Sequence, residues 1–188
     1  MLVLNQKTTA MKKVVLTYGL ISGSIVAGLM LATIPMWENG MVDFKNGEVI
    51  GYTTMVISLS LVFFGIKSCR DNHYNGVISF WKAFKVGIMI SLIASVMYAL
   101  AWEVSYGFFA QDFMAKMSAH RLETLKNEGR SDAEIQEATA KMETFVEWYK
   151  NPLIRFPMTL MEILPVGFII TLISSAILRK KEFLPQPG

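Results

Sequence analysis

The sequence predicts an all-α membrane protein: four transmembrane helices, with an extracytoplasmic helical hairpin between the third and the fourth. Three observations predict it. Of 188 residues 53% are hydrophobic, and the mean hydropathy of +0.40 is one that soluble domains seldom reach. Apolar runs of about 20 residues, the length needed to cross about 30 Å of hydrocarbon, occur four times. Most of the charge is crowded into the segments that separate them.

The predicted spans cover residues 14–37, 49–66, 83–102 and 156–178. Only the third and fourth contain a charge, Lys85 and Glu162. The first run follows Met11-Lys12-Lys13 and resembles a secretory leader, but it exceeds the usual apolar core of about 7 to 15 residues and shows no Ala-x-Ala cleavage site. It reads as a retained anchor. Residues 1–10 are expected to be a disordered extension, with Met11 an alternative start; 11–182 form one domain and 183–188 a cytoplasmic tail.

Lipid is as apolar as leucine, so helices in a bilayer associate through small residues that let backbones approach and through hydrogen bonds. Span one offers Gly19, Gly23 and Ala27; span three Gly87, Ser91, Ser95 and Ala99; span four Gly167, Thr171 and Ser175; span two, more weakly, Thr54, Ser58 and Gly65. Spacing by four places each set on one helix face, which predicts a compact four-helix bundle. A hydroxyl-lined path through the bundle is the competing reading of the same stripes.

Lysine and arginine flanking a span resist translocation. Lys7, Lys12 and Lys13, then Lys67, Arg70, Lys82 and Lys85, then Arg179, Lys180 and Lys181 mark three cytoplasmic segments, opposed only by Asp71 and Glu182. The first loop, with Glu38, Asp43 and Glu48 around Lys45, is acidic, and 103–155 sets nine acids against seven bases. Both are therefore expected outside, with both termini inside, in the cytoplasmic membrane. Trp37, Trp102, Tyr106, Trp148 and Tyr149 fall at the expected outer surface and Tyr74 and Trp81 at the inner one, as amphipathic rings prefer. The basic inner face suits anionic lipid and gives no reason to expect nucleic acid.

Residues 110–150 are too long for a structureless loop. Gly129 suits the left-handed residue that ends a helix, and Ser131 with Glu134 forms a Ser-x-x-Glu capping box that starts another. In the second helix Ile135, Ala138, Met142, Phe145, Val146 and Tyr149 recur at helical spacing; Phe113, Met117 and Leu125 do so more loosely in the first. The stripe is covered by the partner helix or the outer membrane surface, the hairpin capping the bundle, or else it is a docking surface for another envelope protein. Asn151-Pro152 ends the hairpin and Phe156-Pro157 opens span four.

Several stretches are familiar in this order: Phe64-Gly65-Ile66-Lys67-Ser68 with Arg70-Asp71, Ser79-Phe80, Lys82-Ala83-Phe84-Lys85-Val86-Gly87, Glu162-Ile163-Leu164-Pro165-Val166-Gly167, and Arg179-Lys180-Lys181. Over roughly residues 11 to 182 the chain resembles the domain-of-unknown-function 4199 family of small bacterial integral-membrane proteins. It departs from that pattern at Cys69, where an aromatic is commoner, and at Trp81, where a glycine is. The resemblance implies the same four-span layout and carries no chemistry.

Glu162 is the candidate polar site. By helical rise it lies roughly 9 Å inside the outer end of span four, near enough for its side chain to snorkel outward. Thr159 stands one turn earlier as a donor, and Pro165 leaves the Met161 carbonyl without its usual partner. Glu103 either stands above Glu162 to complete an acidic pocket that holds a proton or cation, or is an ordinary solvated interface residue. A lone cysteine, Cys69, and two histidines on opposite sides, His73 and His120, give no metal or disulfide framework. No nucleophile motif, metal-ligand spacing or phosphate loop is present, so neither enzyme chemistry nor a cofactor is expected. The leading expectation is a non-enzymatic anchor whose outer hairpin contacts lipid, a second copy or another envelope protein; the alternative is a small oligomeric transporter or proton- or cation-coupled subunit using Glu162.

Overall fold

The structure, a computed structural model, describes residues 2–38, 41–42 and 44–179. Asp43, Lys180, Lys181, Glu182 and the tail 183–188 lie outside the described residues. Those described form seven helical segments: α1 (Leu2–Glu38), α2 (Phe44–Leu59), α3 (Leu61–His73), α4 (Phe80–Phe108), α5 (Phe113–Asn127), α6 (Asp132–Tyr149) and α7 (Pro152–Leu178). Four stretches are long and apolar enough to cross a membrane: Met11–Trp37 in α1, Asn46–His73 across α2 and α3, all of α4 and all of α7.

The distribution of side chains is that of a protein dissolved in hydrocarbon. Leu16, Leu20 and Ile25 of α1, Leu92 and Leu100 of α4, and Ile169, Ile173 and Ile177 of α7 point outward, while Ser22, Ser58, Ser91, Ser95, Thr171 and Ser175 are buried. In water this would invert the hydrophobic effect; in lipid it turns apolar side chains to the tails and keeps the hydroxyls between helices, where Ser22, Ser58, Ser91 and Thr171 find partners and the Ser95 and Ser175 hydroxyls make no hydrogen bond among the described residues.

α4 is the central helix, packed on α1, α3 and α7. The small residues bring these backbones together. A Cβ on Gly23 would stand 2.5 Å from Met97 Sδ, one on Gly87 2.8 Å from Thr171 Cγ2, and one on Gly167 2.8 Å from Ser91 Cβ. Hydroxyls close the same contacts: Ser91 Oγ lies 3.2 Å from Thr171 Oγ1, and Ser22 Oγ donates to the Ser58 carbonyl at 2.7 Å. The stripes therefore serve packing, around a core that includes Val26, Met55, Leu59, Ile90 and Ile163.

Three boundaries differ from the sequence expectation. Residues 2–10, expected as a disordered extension, are helical and continuous with α1, because no glycine or proline interrupts propagation outward from the span. Span two is longer than 49–66, and its helix is interrupted at Ser60, which separates α2 from α3. Here Thr54, Ser58 and Ser60 each donate back to a carbonyl in the preceding turn, and the Ser58 carbonyl accepts from Ser22. Span four begins at Pro152 and not at Phe156: the Asn151 side chain accepts from the Leu153 amide at 3.0 Å and caps it, leaving Pro157 and Pro165 inside α7.

The hairpin follows its sequence signals. Gly129 has φ +73, in the left-handed region that favours glycine. Ser131 and Glu134 make the reciprocal capping box, with the Ser131 amide donating to Glu134 Oε2 at 3.0 Å. The apolar stripe of α6 is covered by α5 and by the end of the bundle, where Tyr149, Tyr106 and Met114 form a small core with Phe145 and Val146 around it. The ring of Phe113, at the start of α5, packs edge-on against Trp37 of α1 (5.6 Å) and Trp102 of α4 (5.4 Å), which fixes the hairpin over that end.

Candidate functional site

Two carboxylates near the hairpin end of the bundle have opposite surroundings. Glu103, on the last turns of α4, faces Arg155 in the first turn of α7. The guanidinium donates to Glu103 through Nε at 3.0 Å and through a second, shorter bond, a two-pronged pair in which the side chains are 6% and 18% exposed. Arg155 also donates to the Tyr149 carbonyl at 3.0 Å and the Lys150 carbonyl at 3.3 Å, and its carbon Cζ sits 3.8 Å from the centre of the Tyr106 ring. One side chain thus joins α4, α7 and the end of α6. Those carbonyls belong to the last residue of α6 and to its C-cap, and a helix leaves such groups without internal partners, so the cation completes a helix terminus as well as an ion pair.

Glu162 lies further along α7, beside a cavity of about 170 Å³ bounded by Trp37, Tyr98, Trp102, Phe113 and Tyr149, with Thr33 and Thr54 among its other walls. Its side chain is exposed, and no hydrogen bond or ion pair reaches it among the described residues. Glycine shapes the far wall. A Cβ on Gly47 would collide with the Trp37 ring, so glycine there admits the indole; a Cβ on Gly51 would meet nothing within 4 Å.

The aromatic walls are held in place by one another. Trp102 Nε1 donates to the Tyr149 hydroxyl at 2.8 Å, and Tyr149 packs against Tyr106 and Phe145. Burial raises the Tyr149 hydroxyl above its ordinary value, so this group keeps its proton. Thr33 and Thr54 donate to the Met30 and Gly51 carbonyls at 2.6 and 2.7 Å, which leaves their oxygens as acceptors.

Of the four residues that the sequence joins into a candidate polar site, Glu162 alone borders this cavity. Glu103 is neither a second wall of an acidic pocket nor a solvated interface residue, because Arg155 holds it. Thr159 is buried and donates to the Arg155 carbonyl at 3.0 Å, so it is not the donor to Glu162 that its spacing suggests. Pro165 lies on the outward side of α7, as Met161 does. Arg155 is the residue that sequence reasoning counts only as one more outer base. The signal for it was an arginine placed between Leu153-Ile154 and Phe156, inside an apolar run.

Among the described residues no three His, Cys, Asp or Glu side chains gather where a metal could be held. Chemically, the arrangement offers one negative charge, hydroxyl acceptors and several aromatic rings around a small space.

The family model described as "Protein of unknown function (DUF4199)" matches residues 17–180, and the chain belongs to that family. No curated protein and no solved structure matches it.

Proposed function

We propose that this family member sits in the cytoplasmic membrane with both termini inside and acts without catalysis, as an anchor that presents the α5–α6 hairpin outside the cell membrane to another envelope protein or a second copy. The observation that carries this reading is the Arg155 clamp. A loop that only connected two spans would need no buried ion pair; this one is fastened to α4 and α7 through Glu103, Tyr149 and Lys150. The orientation is supported by charge, since Lys12, Lys13, Lys67, Arg70, Lys82 and Arg179 belong to the end opposite the hairpin.

A single cysteine at Thr144, in a Cys69→Ala background, tests the sidedness. Labelling by a membrane-impermeant maleimide in intact cells is expected, and labelling only after permeabilisation contradicts the reading. A photocrosslinker at the exposed Ala140 tests the interaction: a discrete crosslinked band should weaken when Arg155→Ala releases the hairpin, and a band indifferent to that change removes the clamp's role.

A second reading, a small transporter or a proton- or cation-coupled subunit, is favoured by one observation, the unpartnered Glu162 beside a cavity. Glu162→Gln should then abolish pH-dependent flux in proteoliposomes; unchanged flux excludes it.

A further inference from the structure

We propose that the Glu162 cavity binds a small organic ammonium group. Its walls select such a group by what they offer and what they withhold. Ring faces attract a cation through their quadrupole when it lies within about 6 Å, and they tolerate methyl and methylene groups that a hydrated metal ion does not carry. Trp37, Tyr98, Trp102, Phe113 and Tyr149 line the cavity with aromatic rings, and Glu162 supplies the single balancing charge. The donors of Thr33, Thr54 and Trp102 are already committed to protein acceptors, so the hydroxyl oxygens of the two threonines remain to receive N–H groups from a ligand.

Other occupants fit less well. A hard metal ion such as calcium takes about 6 to 8 oxygen ligands, typically with several carboxylates among them. Among the described residues only one carboxylate borders this cavity, and much of the wall is apolar. An anion would face Glu162. A proton alone would need neither the volume nor the rings. At about 30 Å³ for a water molecule, 170 Å³ is the space of five or six waters, or of one compact ammonium of about that many heavy atoms.

The ligand chemistry has two natural sources, a free amine and the ethanolammonium headgroup of a lipid. The proposal shares Glu162 with the second reading above and rests on that residue's being a cation site, but it requires no transport. Equilibrium binding and flux are therefore measured separately: an ammonium site in a protein that moves nothing, and flux without ammonium binding, give different results.

The test uses the full chain in phosphatidylglycerol nanodiscs, titrated with tetramethylammonium chloride against sodium chloride at constant ionic strength and followed by tryptophan fluorescence, since Trp37 and Trp102 form part of the wall. A saturable change is expected with tetramethylammonium and none with tert-butanol, its uncharged counterpart in size. Glu162→Gln should weaken binding roughly tenfold or more, the loss of an ion-pair and cation–π contribution. Gly51→Leu, whose added Cβ meets nothing within 4 Å, should do the same by filling the space, leaving the carboxylate untouched. Replacing part of the lipid by phosphatidylethanolamine weakens the apparent affinity if the headgroup is the natural occupant and leaves it unchanged if a free amine is. No saturable response in the wild-type protein, an equal response to tert-butanol, or unchanged affinity in both variants overturns the proposal.

Discussion

Glu103 and Glu162 belong to the same end of one bundle, and their surroundings differ in the one respect that matters for a charge near lipid. Glu103 receives two bonds from Arg155, and the guanidinium uses Nη1 on two helix-end carbonyls and its face on Tyr106. Glu162 receives none among the described residues and borders a space. A charge near hydrocarbon is expensive unless paired, hydrated or neutralised. The first carboxylate is closed into the structure; the second remains open to something the chain does not itself supply.

The sharpest way to break this comparison is to remove one partner from each side. Arg155→Ala leaves Glu103 enclosed and unpaired and frees the end of α6, and should cost about 3 kcal/mol, the lower part of the range for a broken buried pair. The thermal midpoint in detergent and amide exchange across α6 measure it. Glu162→Gln should alter the stability by no more than about 0.5 kcal/mol, as changes away from a packed network do. The reverse order of effects would mean that Glu162 is the structural residue.

Overpacking comes next. Gly167→Leu pushes a side chain into Ser91, where a Cβ already stands at 2.8 Å, and should cost about 1 to 3 kcal/mol by the same thermal measurement. Glu103→Gln keeps the shape and some of the hydrogen bonds of the clamp but removes its charge. It should cost about 1 kcal/mol, the difference between charged and neutral hydrogen bonds. If Glu103→Gln proves as damaging as Arg155→Ala, then charge, and not the carbonyl contacts of Arg155, holds the hairpin.

The smallest effect concerns the tip of the hairpin. The Ser131 amide and hydroxyl hold the Glu134 carboxyl below its ordinary value of 4.5. A group with a lowered folded pKa contributes stability that is present above the unfolded value and lost as pH falls through the folded one. Protection of the first α6 amides should therefore decline below about pH 4.5, while the clamp end of the same helix stays protected. Ser131→Ala removes the hydroxyl but keeps the amide donor, so it should weaken this pH response without abolishing it and cost about 1 kcal/mol as a lost cap. Equal opening at both ends would erase the distinction between the tip and the base of the hairpin.

Much of the fold was legible in the sequence because hydrocarbon imposes a long-range rule on a local pattern: about 20 apolar residues between polar ends. The hairpin was legible for the same kind of reason, since Gly129 and the Ser131–Glu134 box act within a few residues. The clamp was not. Arg155 and Glu103 are separated by 52 positions, and although an arginine inside an apolar run calls for a partner, nothing local says which residue that partner is. The bond from Ser22 to the Ser58 carbonyl, beside the break at Ser60, was hidden too, because it joins residues 36 positions apart. At Glu162 the residue was visible but its surroundings were not: Trp37, Tyr98 and Tyr149 come from three different helices.

The most direct test of the closed and open carboxylates is their reaction with a lipid-soluble carbodiimide in nanodiscs, read residue by residue by peptide mass spectrometry with and without tetramethylammonium. Modification of Glu162, suppressed by the ammonium ion, with Glu103 unmodified, is the result expected. Modification of Glu103 at an equal or greater rate, or a Glu162 reaction indifferent to tetramethylammonium, would contradict it.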